Sequence, residues 1–236
     1  MDMDIGIIGS GHIGSILARH LAALGHQVSI ANSRGPASLV AQAADTGATA
    51  ATVKQAARAK DMVIIAVPEK SVWQLPRDIL AATSAVIVDA GNYYPSRDSR
   101  IPEIDRGLPE SAWVARVLGH PVVKAFNNIL ANSLATRGVP ARTPGRICLS
   151  VAGDDLSAKA KVRSLIDALG FDAIDAGTLA DSWRQQPGTP AYCRDLDIKG
   201  LKAALAEADA AQIPAYRAQA DEAARAYFAG DVKGQT

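Results

Sequence analysis

Ile5-Gly6-Ile7-Ile8-Gly9-Ser10-Gly11-His12-Ile13-Gly14 decides how the rest of the chain is read. It opens on a short apolar run, Asp4–Ile8, and closes on glycines in the spacing G-x-G-x-x-G. That spacing is common by itself. Its setting makes it specific: a strand precedes it, and Ile13, Ile16, Leu17, His20, Leu21 and Leu24 follow at helical intervals until Gly25. Gly9 permits the tight turn, Gly11 lets backbone come close to a pyrophosphate, and Gly14 lets helix and strand pack. The unsatisfied amides at the start of the helix then face the anion. Gly9, Ser10, Gly11, His12, Ile13 and Gly14 are the first cofactor-binding residues expected. For Ser10 and His12 a phosphate contact and plain loop filling both remain open.

The same rhythm runs outward from this loop. Gln27–Ala31 reads as a second strand and Pro36–Ala44 as a helix with Leu39, Val40 and Ala43 inward. Met62–Val67, Ala85–Asp89, Val122–Phe126 and Ile147–Ala152 are continuous apolar runs, as in parallel strands covered on both faces. Val162, Leu165, Ile166 and Leu169 line a helix that Gly170 ends, and Phe171–Asp175 is the last strand expected. Alternating strands and helices predict an α/β fold with a doubly wound, mostly parallel sheet. After Gly177 the pattern changes. Trp183–Pro190 reads as a loop from its Pro and Gly content. Leu201, Ala204, Leu205 and Ala208 then stripe one helix, and Tyr216, Ala220, Ala223 and Tyr227 another. The expectation is a single nucleotide-binding domain over 1–236, of which 178–236 is a loop plus a C-terminal helical extension.

Composition narrows the class. The 236 residues are 48% hydrophobic and 21% charged, enough for a core and a solvated surface. A formal net charge of +1, with scattered basic residues, argues against a nucleic-acid partner. No apolar run is long enough to span a bilayer, and the first residues lack the pattern of a signal peptide. A cytoplasmic protein is expected. The two cysteines, Cys148 and Cys193, form no disulfide framework, and the four histidines form no metal spacing.

The second strand ends Ala31-Asn32-Ser33-Arg34-Gly35-Pro36. An NAD site would place Asp or Glu near here to bind the adenosine ribose. Asn32 is neutral, and Ser33 and Arg34 suit the extra phosphate that NADP carries on that ribose. NADP is therefore the expected cofactor, held by Asn32, Ser33 and Arg34.

Ligands of open parallel sheets lie at the carboxyl ends of the strands. Those ends read Ala66-Val67-Pro68, Asp89-Ala90-Gly91-Asn92 and Lys124-Ala125-Phe126-Asn127-Asn128. Ala66, Val67, Pro68, Ala90, Gly91 and Asn92 are expected beside the cofactor. Asn92, Asn127 and Asn128 offer uncharged donors and acceptors for a planar ligand. No acid or base stands out. Lys124, Asn127 and Tyr93 are the catalytic candidates, with Tyr94 a further source of a proton. Lys124 suits neutralising an anionic substrate or forming an ion pair.

These motifs, from Ile5–Gly14 through Asn32–Pro36, Ala66–Pro68, Asp89–Asn92 and Val123–Asn127, resemble the coenzyme F420-dependent NADP oxidoreductases. Trp183–Pro190 resembles a segment of that family's bacterial branch. The resemblance implies a Rossmann domain with NADPH across the sheet, and coenzyme F420 as a co-substrate exchanging hydride with it. It departs from the archaeal pattern in the glycine loop, which reads Gly-Ser-Gly-His-Ile-Gly here, and in the long terminal helices. Hydride transfer between NADPH and F420 or a flavin-like acceptor is the expected function. Two alternatives stay open: reduction of a small imine or carbonyl compound, and a non-catalytic NADP(H) sensor. The partner expected is a small-molecule redox substrate, with a homodimer as the mild preference for assembly.

Overall fold

A computed structural model describes residues 2–228, apart from the side chain of Tyr227, which lies outside the described residues. Its main sheet holds six parallel strands in the order β3-β2-β1-β4-β5-β6. They are β1 (Asp4–Ile8), β2 (Gln27–Ala31), β3 (Thr49–Ala51), β4 (Met62–Ile65), β5 (Val86–Asp89) and β6 (Val122–Lys124). Ile8 lies opposite Ala31 on one side and Ile65 on the other, so β1 is central. The order reverses between β1 and β4, which opens a crevice at their carboxyl ends.

A second pair, β7 (Cys148–Val151) and β8 (Asp172–Asp175), is also parallel. It joins the main sheet through one antiparallel bridge, where Lys124 N donates to Ala152 O at 2.8 Å and Ala152 N to Lys124 O at 3.1 Å. The doubly wound, mostly parallel sheet is thus as expected. Most strands are shorter than the apolar runs suggested. Phe126 shows why: its φ of 64° is left-handed and turns the chain out of the sheet.

One core lies between the sheet and helices α1 (His12–Ala23) and Leu156–Ala168, built on Ile7, Leu17, Leu21, Val162 and Ile166. The other face is covered by the Glu110–Leu118 helix, with Trp113 and Val114 fully buried. A smaller cluster of Leu201, Ala204 and Leu205 seats the Ile198–Glu207 helix on β7 and β8.

Two helical expectations change. Leu24 is 44% exposed, because α1 buries Gly14, Leu17, Ala18 and Leu21 instead. Val40 is 65% exposed. The Pro36–Leu39 segment winds as a 3-10 turn before the Val40–Thr46 helix, so Leu39 and Ala43 share the inward face and Val40 turns outward. Trp183–Pro190 starts within the Leu179–Gln185 3-10 turn and continues as the loop expected, and Gln185, Gln186 and Thr189 are buried in it.

Candidate functional site

The glycine loop is built by steric necessity. Gly9 has φ 122°, and a Cβ there would stand 2.1 Å from Ala66 O. A Cβ at Gly14 would stand 1.9 Å from Gly9 O. Gly11 differs, since a Cβ there would meet nothing within 4 Å. Two glycines therefore close the fold, and the third leaves space on the side of the crevice. Gly11 is also the N-cap of α1 and supplies no side-chain cap. α1 starts at this space, and a helix start favours an anion. Open space at Gly11 beside a helix start fits a dinucleotide's pyrophosphate.

One cleft, of about 510 Å³, runs from this loop to Ser33 and Arg34 and along Ala66, Val67 and Pro68. Asn32 lines it, but its amide is used within the protein. Its Nδ2 donates to Ser10 Oγ (3.2 Å) and Ser38 Oγ (3.1 Å), while its Oδ1 accepts from Arg34 N at 2.9 Å. Asn32 thus shapes the turn that presents its neighbours. Ser33 and Arg34 are exposed, and no carboxylate of the described residues engages the Arg34 guanidinium.

A second cleft, of about 350 Å³, shares Gly11, Ala66, Val67 and Pro68 with the first. It adds His12, Ile13, Ala90, Gly91, Asn92 and Asn127. The expected strand-end residues therefore meet in one continuous groove. Its far wall holds Tyr94, Arg97, Tyr192 and Cys193. Tyr94 and Tyr192 touch hydroxyl to hydroxyl at 2.5 Å. Burial pushes the Tyr94 hydroxyl up to about 12 and raises that of Tyr192 as well. Arg97 lies 5.3 Å from the Tyr94 ring centre and donates to Asn92 O and to Asp98. An outer groove of about 710 Å³ continues past these residues to Ala220 and Phe228 of the last helix.

Of Lys124, Asn127 and Tyr93, Asn127 borders the groove, as does Tyr94. Asn127 is held from behind: its Nδ2 donates to Asn92 Oδ1 (3.1 Å) and Gln185 O (2.7 Å), and its Oδ1 accepts from Gln185 Nε2 (2.9 Å). Tyr93 is fully buried, with its hydroxyl between Ile101 N and Asp105. Lys124 is also fully buried. Its Nζ donates to Asp89 Oδ2 at 3.1 Å and to Gly91 O at 2.5 Å. Burial works against its charge, but Asp89, Glu69 and Glu110 together raise its pKa. Lys124 and Tyr93 are therefore corrected to interior residues, since neither reaches the groove. Asn128 is likewise buried and absent from the groove lining.

Below Gly91 lies a cluster that no motif announced. Glu69, Asp89, Asp98 and Glu110 gather around Lys124 and Arg97, with both glutamates and both aspartates buried. Asp89 accepts from Ser111 Oγ at 2.6 Å and from Gly91 N at 2.9 Å. Glu110 accepts from Tyr93 N at 3.1 Å, and burial pushes its carboxyl up to about 7. Neither oxygen of Glu69 meets a donor among the described residues. Tyr192 and Arg97 were equally silent in the sequence. Arg97 and Tyr192 reach the groove only because helical turns and distant segments converge there.

A parallel sheet in this order, with a glycine loop at its switch point, defines a dinucleotide-binding oxidoreductase of the Rossmann class. Residues 4–93 match the family of coenzyme F420-dependent NADP oxidoreductases. The solved structure of SMa0349 from Sinorhizobium meliloti is 36% identical, with a TM-score of 0.69, over 83% of this chain and 95% of that one. A proposed F420-dependent NADP reductase from Arthrobacter sp. FB24 is 26% identical, with a TM-score of 0.61, over 76% of this chain and 87% of that one. YjhV of Escherichia coli K12 is 44% identical over 57 residues, which are 24% of this chain and 42% of YjhV. Over residues 4–93 the chain is thus similar to the coenzyme F420-dependent NADP oxidoreductases, and its fold is that of an NADP-dependent oxidoreductase. No helix among the described residues is long and apolar enough to cross a membrane.

Proposed function

We propose that the protein uses NADPH to reduce F420 or a flavin-like planar acceptor. The observation that carries this reading is one continuous groove, with an unpaired arginine at one end and two tyrosine hydroxyls at the other. Arg34 and Ser33 would hold the adenosine 2′-phosphate, and the amides after Gly11 would hold the diphosphate. The backbone edges Ala66–Pro68 and Ala90–Asn92 would flank the nicotinamide, with Asn92 and Asn127 as polar partners. The acceptor would enter over Leu130 and stack in the outer groove, which Tyr94 and Phe228 border.

Bound NADPH supplies a hydride from its nicotinamide ring. Reduction of such an acceptor also takes up one proton. The Tyr94–Tyr192 pair can deliver it: one hydroxyl donates to the other, which leaves the second proton for a ligand in the groove. Their raised pKa values keep both hydroxyls protonated near neutrality. After transfer the pair regains its proton from solvent, so the chain ends unchanged.

The same pair supports a second reading, reduction of a small imine or carbonyl compound, which needs a positioned proton donor. Stopped-flow absorbance with NADPH and F420 tests the first reading. Rapid loss of the reduced nicotinamide signal is expected. Turnover confined to imines or carbonyls would move the assignment to the second. Tight NADPH binding without turnover of any acceptor would leave only a sensor.

A further inference from the structure

Glu69 is the least satisfied ionisable group among the described residues. It is fully buried, it follows Pro68 at the groove, and neither carboxyl oxygen has a donor. It lies immediately behind Gly91. A Cβ on Gly91 would stand 2.6 Å from Glu69 Oε2 and 2.9 Å from Oε1. The absent side chain at Gly91 therefore makes room for this carboxyl. The same Gly91 lines the groove, so the carboxyl packs against a residue of the groove wall.

The surroundings do not supply a counter-ion of its own. Asp89 of β5 is held by Lys124 of β6, and Asp98 is held by Arg97. Glu110, from the helix packed against this side, adds another carboxyl. Four carboxyls thus face two cations, and Glu69 is the one left without a hydrogen bond. Burial first, and then Asp89, raise its pKa well above the ordinary value, against the pull of Lys124.

Resting on the placement of the nicotinamide proposed above, we infer that Glu69 is a positioning residue for charge: it keeps its proton behind NADPH and releases it behind NADP+. The oxidised ring carries a positive charge that the reduced ring lacks. An ionised carboxyl behind Gly91 would stabilise that charge in a medium of low dielectric. The O–H bond of Glu69 breaks, the electron pair stays on the carboxylate, and the proton passes to solvent. Glu69 would thereby favour the charge that develops as hydride leaves.

The test is binding, with no acceptor present. Dissociation constants for NADP+ and NADPH are measured from about pH 6 to pH 9, and calorimetry in two buffers counts the protons released. The 2′-phosphate titrates in both nucleotides, so the ratio of the two constants cancels it. The ratio of the NADP+ constant to the NADPH constant should fall about tenfold as pH rises, corresponding to roughly one unit of pKa shift. Glu69→Gln should flatten that ratio and leave NADPH affinity unchanged, whereas Glu110→Gln should preserve the slope. Parallel pH profiles in the wild-type protein would overturn the inference, even if Glu69→Gln failed to fold. So would a slope that survives Glu69→Gln or disappears with Glu110→Gln. Failure to bind either nucleotide would overturn the NADP reading along with the inference. Binding of both with identical profiles would overturn the inference alone.

Discussion

Tyr94 and Tyr192 stand 98 positions apart in the chain and meet hydroxyl to hydroxyl at 2.5 Å on the wall of the groove. Tyr94 follows the end of β5, and Tyr192 sits in the segment that leads to the C-terminal helices. Only the return of that segment across the ends of the strands makes the pair.

If the pair delivers the proton, Tyr94→Phe and Tyr192→Phe should each lower kcat by about 100-fold. NADPH affinity should stay within about twofold, because Tyr→Phe keeps the ring and changes the volume little. Steady-state kinetics alongside fluorescence titration of NADPH separates the two quantities. Unchanged kcat in both variants would remove the tyrosines from the mechanism.

Arg34 is exposed on the cleft wall, and the proposed function gives it the 2′-phosphate to read. A charged hydrogen bond contributes about 1.5–3 kcal/mol, or one to two decades in affinity. Arg34→Ala should raise KM for NADPH by about that factor and leave KM for NADH little changed. Equal effects on the two nucleotides would mean that Arg34 does not read the phosphate.

Gly91→Ala places a methyl group 2.6 Å from Glu69 Oε2 in a closed interior. Overpacking of this kind costs roughly 1–3 kcal/mol. Glu69→Ala on the same chain should recover most of that loss, so the two changes should be strongly non-additive in urea unfolding. Additive effects would show that the carboxyl is not what the glycine accommodates.

Glu110 has its pKa raised to about 7 by burial, above the usual carboxylate value. An acid with a raised folded-state pKa contributes stability in full below its unfolded pKa, and loses it as pH rises through the folded value. Stability should therefore fall between about pH 4.5 and pH 7, by an amount of order 3 kcal/mol if Glu110 acts alone. Glu110→Gln keeps an acceptor for Tyr93 N and should flatten this part of the profile. Melting curves across that range check it.

The glycine loop was legible because its demands are local. Gly9 and Gly14 are imposed by backbone only a few residues away, or by the adjacent strand end at Ala66. The same holds for Ser33 and Arg34, which the turn after β2 presents directly to the cleft. Val40 was misread, and the burial of Trp183–Pro190 went unread, for the opposite reason. The phase of a helix depends on how its first turn winds, and burial of a polar strap depends on what receives it. Gln185 can be buried because Asn127, 58 positions earlier, accepts from its Nε2 and donates to its backbone carbonyl.

Lys124 and Tyr93 mark the boundary most clearly. Each follows or joins a strand at the end where ligands bind, so their positions in the sequence invite a catalytic role. A strand alternates its faces, however, and the packed Glu110–Leu118 helix closes the face onto which both are drawn. The sequence alone determined the α/β class, the glycine loop and the turn that brings Ser33 and Arg34 to the cleft, because periodicity and backbone sterics act over short distances. Tertiary structure alone decided which side chains line the groove and which carboxyls lose water, because pairing and desolvation depend on segments far apart in the chain.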